Sequence, residues 1–244
     1  MRVNRHIGAV AIFLVLLLIW QALHTIGGEI VLASPAETAL KLYSMLGDGS
    51  FWENVAWTSY AFVLGLVIAA VGGVSLGLAL GVSRLSSAVA GPILINLYSI
   101  PKVTLYPLVL LCFGLGISAK VAFGVMHGMI PMTIFTMNAI RQMKPVYLRS
   151  ARVLRLTPLQ TAWTVVLPAI LPEVLSGIRL GFSLTLLGVL IGEMFASSHG
   201  LGFLITSAMN VGDTETIMAI AVLLAAFALT SNAILVFFSR QVAP

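Results

Sequence analysis

Residues Arg141 to Pro172 read RQMKPVYLRSARVLRLTPLQTAWTVVLPAILP, and the reading of this stretch decides the reading of the whole chain. Five cations fall between Arg141 and Arg155 with no acid among them. Long apolar segments lie on both sides. A water-exposed basic loop inside an otherwise oily chain marks the place where a membrane protein meets something in the cytoplasm.

Composition supports that frame. Hydrophobic residues make up 59% of the 244 residues and charged residues 9%, against about 25% charged in soluble domains. A soluble core of this length cannot hide so much apolar surface, so lipid is the solvent for much of it. The net charge of +5 is spread along loops. There is no basic patch with interleaved aromatics, which argues against a nucleic-acid partner. The single cysteine, Cys112, excludes a disulfide framework and a thiolate metal site, and reads as a packing residue.

A spanning helix needs about 20 mostly apolar residues. Segments 7–26, 56–81, 88–113, 118–140, 170–195 and 216–238 qualify, which predicts an all-α polytopic membrane protein with six transmembrane helices. Arg2 and Arg5 ahead of the run Ile7–Leu23 also fit a signal peptide. The run is long for one, and no small-x-small cleavage site follows it directly, so an uncleaved first helix is expected. Pro92, Pro101, Lys102 and Pro107 interrupt the third segment and predict a kink or a break.

Lys and Arg set the orientation. With a cytoplasmic N-terminus, nine cations lie inside, among them Arg84, Arg141, Lys144, Arg149, Arg152, Arg155 and Arg240. Only Lys41 and Lys120 lie outside, where Glu29, Glu37, Asp48, Glu53, Asp213 and Glu215 gather. Both termini are therefore expected in the cytoplasm. The chain divides into residues 1–55, a first helix with an outer-surface segment, and a core of five helices over 56–240 that contains the cytoplasmic loop 141–169. Within the outer segment, Ser34, Pro35 and Glu37 predict a capped surface helix to about Met45, and Gly47 to Ser50 a turn into the second span.

Small residues recur every fourth position in the second span, at Gly65, Ala69, Gly73, Gly77 and Gly81. Such a stripe lets helices approach closely in lipid, either within one bundle or across a dimer. Ionisable groups inside the membrane are expensive and default to function. Lys102, near the middle of the third span, is a candidate for the translocation path and would attract an anion; pairing with Glu193 or snorkelling are its alternatives. Glu193, near the outer end of the fifth span, is a candidate gate residue in that path or a structural hydrogen-bonding group. Arg179 lies close enough to the inner end of its span to snorkel. No row of Asp, Glu and His crosses the membrane, and His127 reads as a packing residue.

No phosphate loop, no His-Glu-x-x-His run, no Cys/His cluster of metal spacing and no nucleophile–base pair occurs, so no catalytic or metal site is expected. Any work the chain does draws its energy from elsewhere. The basic loop reads as two short helices. Pro145 opens the first, which puts Tyr147, Ala151 and Leu154 on one face and Arg149, Arg152 and Arg155 along a flank. Thr157, Pro158 and Gln160 form a capping box for the second, and Leu159, Ala162, Trp163 and Val166 follow at helical spacing. Pro168 is expected to end that helix and Pro172 to open the next span. Such helices suit either an anionic lipid surface or a groove on a soluble subunit.

The run YLRSARVLRLTPLQTAWTVVLPAILPEVLSGIRL, Tyr147 to Leu180, resembles the cytoplasmic coupling loop of ATP-binding-cassette importer permeases. That loop is known by a Glu-Ala-Ala start, a Gly three residues later and a Leu-Pro ending. Ala151, Arg152 and Leu154 match, as do Val165, Val166, Leu167 and Pro168. IGEMFASSHGLGFLI, Ile191 to Ile205, and LASPAETALKL, Leu32 to Leu42, resemble the branch that imports nitrate, taurine and other sulfonates, and related nutrients. The resemblance covers essentially the whole chain and implies a type I importer permease fold. It further implies a second permease copy, as a homodimer or heterodimer, and two cytoplasmic ATP-binding subunits docked on residues 145–168. A periplasmic or lipid-anchored solute-binding protein would touch the outer loops 27–55 and 196–215. No cofactor is expected on this chain, ATP being bound by the partner subunit, and the location implied is the bacterial inner membrane. The coupling residues carried over are Tyr147, Arg149, Ser150, Ala151, Arg152, Leu154, Arg155, Thr157, Pro158, Val166, Leu167 and Pro168. Arg149 stands where the family has Glu, and Arg155 where it has the Gly of the turn. Only Gly takes positive φ without penalty, so Arg155 predicts either an altered turn or one with ordinary dihedrals. The implied solute is a small anion such as nitrate, a sulfonate or another organic acid. A secondary transporter driven by an ion gradient, and a non-transporting assembly or sensor subunit, are the rival readings.

Overall fold

A computed structural model describes residues 5–28, 31–195 and 197–242. Arg2 and Glu29 of the charge pattern lie outside the described residues. Every regular element among those described is helical.

The helix ends follow local chemistry. In α2 (Pro35–Leu46) the expected box forms: Ser34 Oγ accepts from the Glu37 N–H at 3.2 Å, and Glu37 accepts from the Ser34 N–H at 2.7 Å. The Ser34 backbone N–H, and after it the Ser34 hydroxyl, hold the Glu37 carboxyl below its ordinary value. The second span begins earlier than expected. Asp48 caps it by accepting from the Ser50 N–H at 2.9 Å, so α3 runs Gly49–Val82 with no turn before residue 56. The division expected at residues 55 and 56 thus falls inside α3.

Among the described residues, five stretches are long and apolar enough to cross a membrane. They are α1 (Arg5–Gly27), α3, α6 (Ile117–Gln142), the continuous helix Pro158–Phe195 and α11 (Thr214–Val242). The third expected span is broken. Helix α4 (Arg84–Ser99) meets the stretch Lys102–Phe113, a 3-10 turn (Lys102–Leu105) that leads into helix α5 (Tyr106–Phe113), at 85° across Ile100 and Pro101. Pro101 supplies no N–H there, and the break leaves α4 without a regular C-terminal continuation.

Helices α3, α6 and the later part of the fourth long helix, α9 (Leu167–Phe195), form the packed centre. The small-residue stripe of α3 lies buried against α6, which settles it as packing within one bundle. A Cβ on Gly77 would stand 2.5 Å from the Thr136 Cβ and 2.8 Å from the Thr133 carbonyl oxygen, so only glycine permits this approach. By contrast, the 18-residue apolar stretch of α1 buries none of its residues. Its last turns are tied to the following loop by Trp20 Nε1 donating to the Ala33 carbonyl at 2.9 Å.

Charge divides the two ends of the bundle. Arg84, Arg141, Lys144, Arg149, Arg152 and Arg155 lie at one, called the basic end below. Glu37, Asp48, Glu53, Asp213 and Glu215 lie at the other, the acidic end, with α2 and α10 (Leu201–Val211).

Candidate functional site

The basic end carries the loop. Helix α7 (Pro145–Val153) starts at Pro145 as expected, and a single turn, α8 (Pro158–Thr161), follows under its capping box: Thr157 Oγ1 accepts from the Gln160 N–H at 3.3 Å and Gln160 Oε1 accepts from the Thr157 N–H at 2.9 Å. Between them the chain reverses on Arg155, whose φ is +52°. The Arg155 N–H bonds to the Arg152 carbonyl at 3.1 Å and the Leu156 N–H to the Ala151 carbonyl at 3.0 Å. That pair of bonds is the Schellman ending that glycine usually serves. The expectation of ordinary dihedrals is therefore corrected: the left-handed turn is kept, and Arg155 carries its cost of about 1 kcal/mol.

The second correction concerns Pro168 and Pro172. Neither ends or opens a helix. Residues Ala162–Val166 form a π turn, with the Leu167 N–H bonded to the Ala162 carbonyl, and α9 continues from Leu167 through both prolines to Phe195. Pro168 has no N–H to offer the carbonyl four residues back and its ring would crowd it. Shifting the ladder to wider spacing just before Pro168 removes the conflict. The loop's second half and α9 are consequently one helical body.

Among the expected coupling residues, Ala151 is buried (2% exposed) and Val166 and Leu167 are half-buried. Arg149, Ser150, Arg152, Arg155, Thr157, Pro158 and Pro168 are exposed. So are Tyr147 and Leu154, although sequence placed them on one face with Ala151. Leu154, Leu159 and Trp163 are 69%, 70% and 66% exposed, which leaves three large apolar side chains uncovered in a segment rich in cations.

The two membrane candidates separate. Lys102 lies in the turn at the α4–α5 break, where its Nζ donates to the Tyr98 carbonyl at 2.9 Å and stands 4.8 Å from the Tyr98 ring centre. It does not pair with Glu193. A cation there satisfies a carbonyl at the end of α4, as helix C-termini favour. Glu193 is fully buried. It accepts from Thr58 Oγ1 at 2.8 and 3.0 Å and from the Gly202 N–H at 3.0 Å. The same Thr58 oxygen accepts from the Leu201 N–H at 2.8 Å, and Asn54 accepts from the Gly200 N–H at 2.7 Å. Gly200 has φ +108°, and a Cβ on it would strike the Glu193 carboxyl. This geometry gives Glu193 the hydrogen-bonding role, pinning the turn before α10 onto α3.

Sequence reasoning did not see the partners of this cluster. Lys120, counted with the outside loops, is buried in the first turn of α6 and donates to Ser197 Oγ at 2.5 Å. Tyr106 donates to the Gly192 carbonyl at 2.7 Å, and His199 stacks on Trp57 with ring centres 5.3 Å apart. No single residue signals these contacts, which join segments far apart in the chain.

Residues 73–244 match the model of one family, described as binding-protein-dependent transport system inner membrane component. A protein of Haemophilus influenzae named "Probable ABC transporter permease protein" is 32% identical over 80% of this chain and 79% of its own. The taurine transport system permease protein of Escherichia coli is 27% identical over 89% and 81%, and the nitrate import permease protein of Leptolyngbya laminosa 27% over 99% and 89%. Among solved structures, a chain of the MetNI methionine ABC transporter in inward-facing conformations superposes with a TM-score of 0.61. That match has 20% identity and covers 80% of this chain and 95% of the other.

Proposed function

Since this chain belongs to the family of binding-protein-dependent transport system inner membrane components, we propose that its basic loop receives the stroke of a cytoplasmic ATPase and its core carries a small anion inward. The family makes the chain a multi-pass permease subunit of an ATP-binding-cassette importer and no enzyme, with ATP hydrolysis on a separate subunit. The solute, the docking and the orientation are our reading.

One observation carries it. Leu154, Leu159 and Trp163 are exposed near Arg149, Arg152 and Arg155, and Leu159 and Trp163 belong to the helix Pro158–Phe195, which runs unbroken through α9. Apolar anchors ringed by cations suit a groove with an acidic rim on a partner. A displacement of Thr157–Val166 would move α9 as a lever, because no loop lies between them. The basic end then faces the cytoplasm, with both termini, and each of two permease copies takes one ATP-binding subunit. A solute-binding protein approaches the acidic end, at α2 and the turn before α10. ATP binding shifts the path between inward and outward access through its different affinity for the two states. The branch of the relatives and the cationic character of the chain favour an anion such as nitrate or a sulfonate. Lys102, at the break in the third span, is the proposed attracting charge near its mouth.

The test is reconstitution of the complete transporter. Arg152→Ala and Pro168→Gly are expected to keep the ATPase bound while lowering solute-stimulated hydrolysis and uptake about tenfold. Unchanged coupling in both variants removes the loop from the mechanism. Failure of any ATPase to co-purify favours a secondary transporter.

A further inference from the structure

A groove of about 430 Å³ lies between α6, α9 and α11. Its polar lining is Ser176, Arg179, Ser183 and Asn232, with Phe135 across from them. Ser176, Arg179 and Ser183 are spaced three and four apart and so form one stripe of α9. Phe135 also borders a second groove, of about 140 Å³, with Asn138, Gln142 and Glu173. Polar side chains therefore continue from the basic end into the bundle.

Arg179 stands twelve residues into α9, about 18 Å along its axis. The one ion pair among the described residues is Lys41–Asp213, so Arg179 has no acid partner. Ser183 and Asn232 beside it are exposed. An unpaired guanidinium and two exposed polar groups on one face of membrane helices are costly against lipid. They are favourable against water. The guanidinium fork also matches an oxyanion in two-point contact, which a lysine cannot do.

We infer that this groove is an oxyanion station on the translocation path, with Arg179 as the recognising cation and Ser176, Ser183 and Asn232 as neutral hydrogen-bonding partners. It takes a nitrate, a sulfonate or a carboxylate group. This rests on the importer reading for its biological use. The chemistry of a lipid phosphate is the same, and the experiment separates the two sources.

In a Cys112→Ala background, Ser183→Cys in the purified complex is placed in nanodiscs of phosphatidylcholine, with and without phosphatidylglycerol. It is labelled with methanethiosulfonates bearing either a sulfonate or a trimethylammonium group. The cysteine is expected to react with both and faster with the anion. Adding Arg179→Gln should lower the anion-to-cation rate ratio about fivefold, as one charge several ångströms away at intermediate dielectric would do. Arg179→Lys should keep most of the ratio, which guards against a misfolded variant. Free nitrate should slow the anionic reagent. A cysteine that does not react, or a ratio that ignores Arg179→Gln, overturns the inference. So does protection by phosphatidylglycerol alone, which would assign Arg179 to lipid. These readouts need no knowledge of the solute, so an unaltered complex that shows no ATP-driven uptake would sink the importer reading and leave Arg179 as an oxyanion site without its place on a path.

Discussion

The two ends of the bundle differ in how they treat their polar groups. At the acidic end a carboxyl, a hydroxyl, an amide oxygen and three backbone N–H groups satisfy one another out of water, around Glu193, Thr58, Asn54 and residues 200–202. At the basic end the cations and the large apolar side chains of residues 149–163 contact little of their own chain. The first arrangement holds this chain together. The second is complete only when something else covers it. Burial, and not charge, separates a structural polar cluster from one made for a partner.

The largest effect should therefore come from the acidic end. Glu193→Leu strips the acceptor from the Thr58 hydroxyl and the Gly202 N–H in a buried site. Leaving such groups unpaired costs about 1–3 kcal/mol each, and a stability loss of about 3 kcal/mol is expected, read as a lower thermal midpoint of the detergent-purified chain. Glu193→Gln keeps an acceptor and should lose less than half as much. Equal midpoints for the Leu variant and the parent would mean that the cluster does not hold this end shut.

A smaller effect, of opposite sign, should come from the loop. Arg155→Gly relieves the left-handed backbone and is expected to stabilise the chain by about 1 kcal/mol. If the cation at 155 serves the partner, the same variant should weaken ATPase binding. A variant both more stable and fully coupled would show the arginine to be incidental.

Much of this fold is visible in the residues. The spans, the two capping boxes, the break near Pro101 and the stripe from Gly65 to Gly81 follow from periodicity and local chemistry. What was not visible depends on tertiary context. Pro168 and Pro172 signal helix ends in isolation, yet a π turn placed just before them keeps the helix running. Arg155 argues against a left-handed turn, yet the two backbone bonds of the Schellman ending fix one. The sequence favours a structural hydrogen-bonding role for Glu193 over a gate, but it does not reveal the partner, Thr58, which lies 135 residues away. The groove around Arg179 needed three helices in place before its polar stripe acquired a partner face.

The Lys41–Asp213 pair should be smaller again. It links α2 to the start of α11 at 3.2 Å, with both side chains about a third exposed. Burial alone would raise the Asp213 carboxyl, but bonds from the Thr216 hydroxyl and N–H and from Lys41 outweigh it and hold it below 3.8. A depressed carboxyl contributes stability that is full above its unfolded value and lost as pH falls through its folded one. Acid below about pH 4 should thus release this contact, while Lys41→Ala at neutral pH should cost only about 0.5 kcal/mol. A midpoint independent of pH between 5 and 3 would remove Asp213 from the account of the acidic end.

The smallest stability change is expected where the contrast between the ends is sharpest. Trp163 is 66% exposed and belongs to the π turn that joins the loop to α9. Truncating so exposed a side chain normally changes stability by less than about 0.5 kcal/mol. A buried Trp at an interface is a different matter, and its loss commonly costs about 2 kcal/mol or more of binding. Trp163→Ala should therefore leave the midpoint of the isolated chain in place and lower ATPase affinity at least tenfold, read by co-purification and titration. A fall in the midpoint with affinity unchanged would reverse the comparison, making the loop a self-supporting element and leaving the exposed patch without its proposed use.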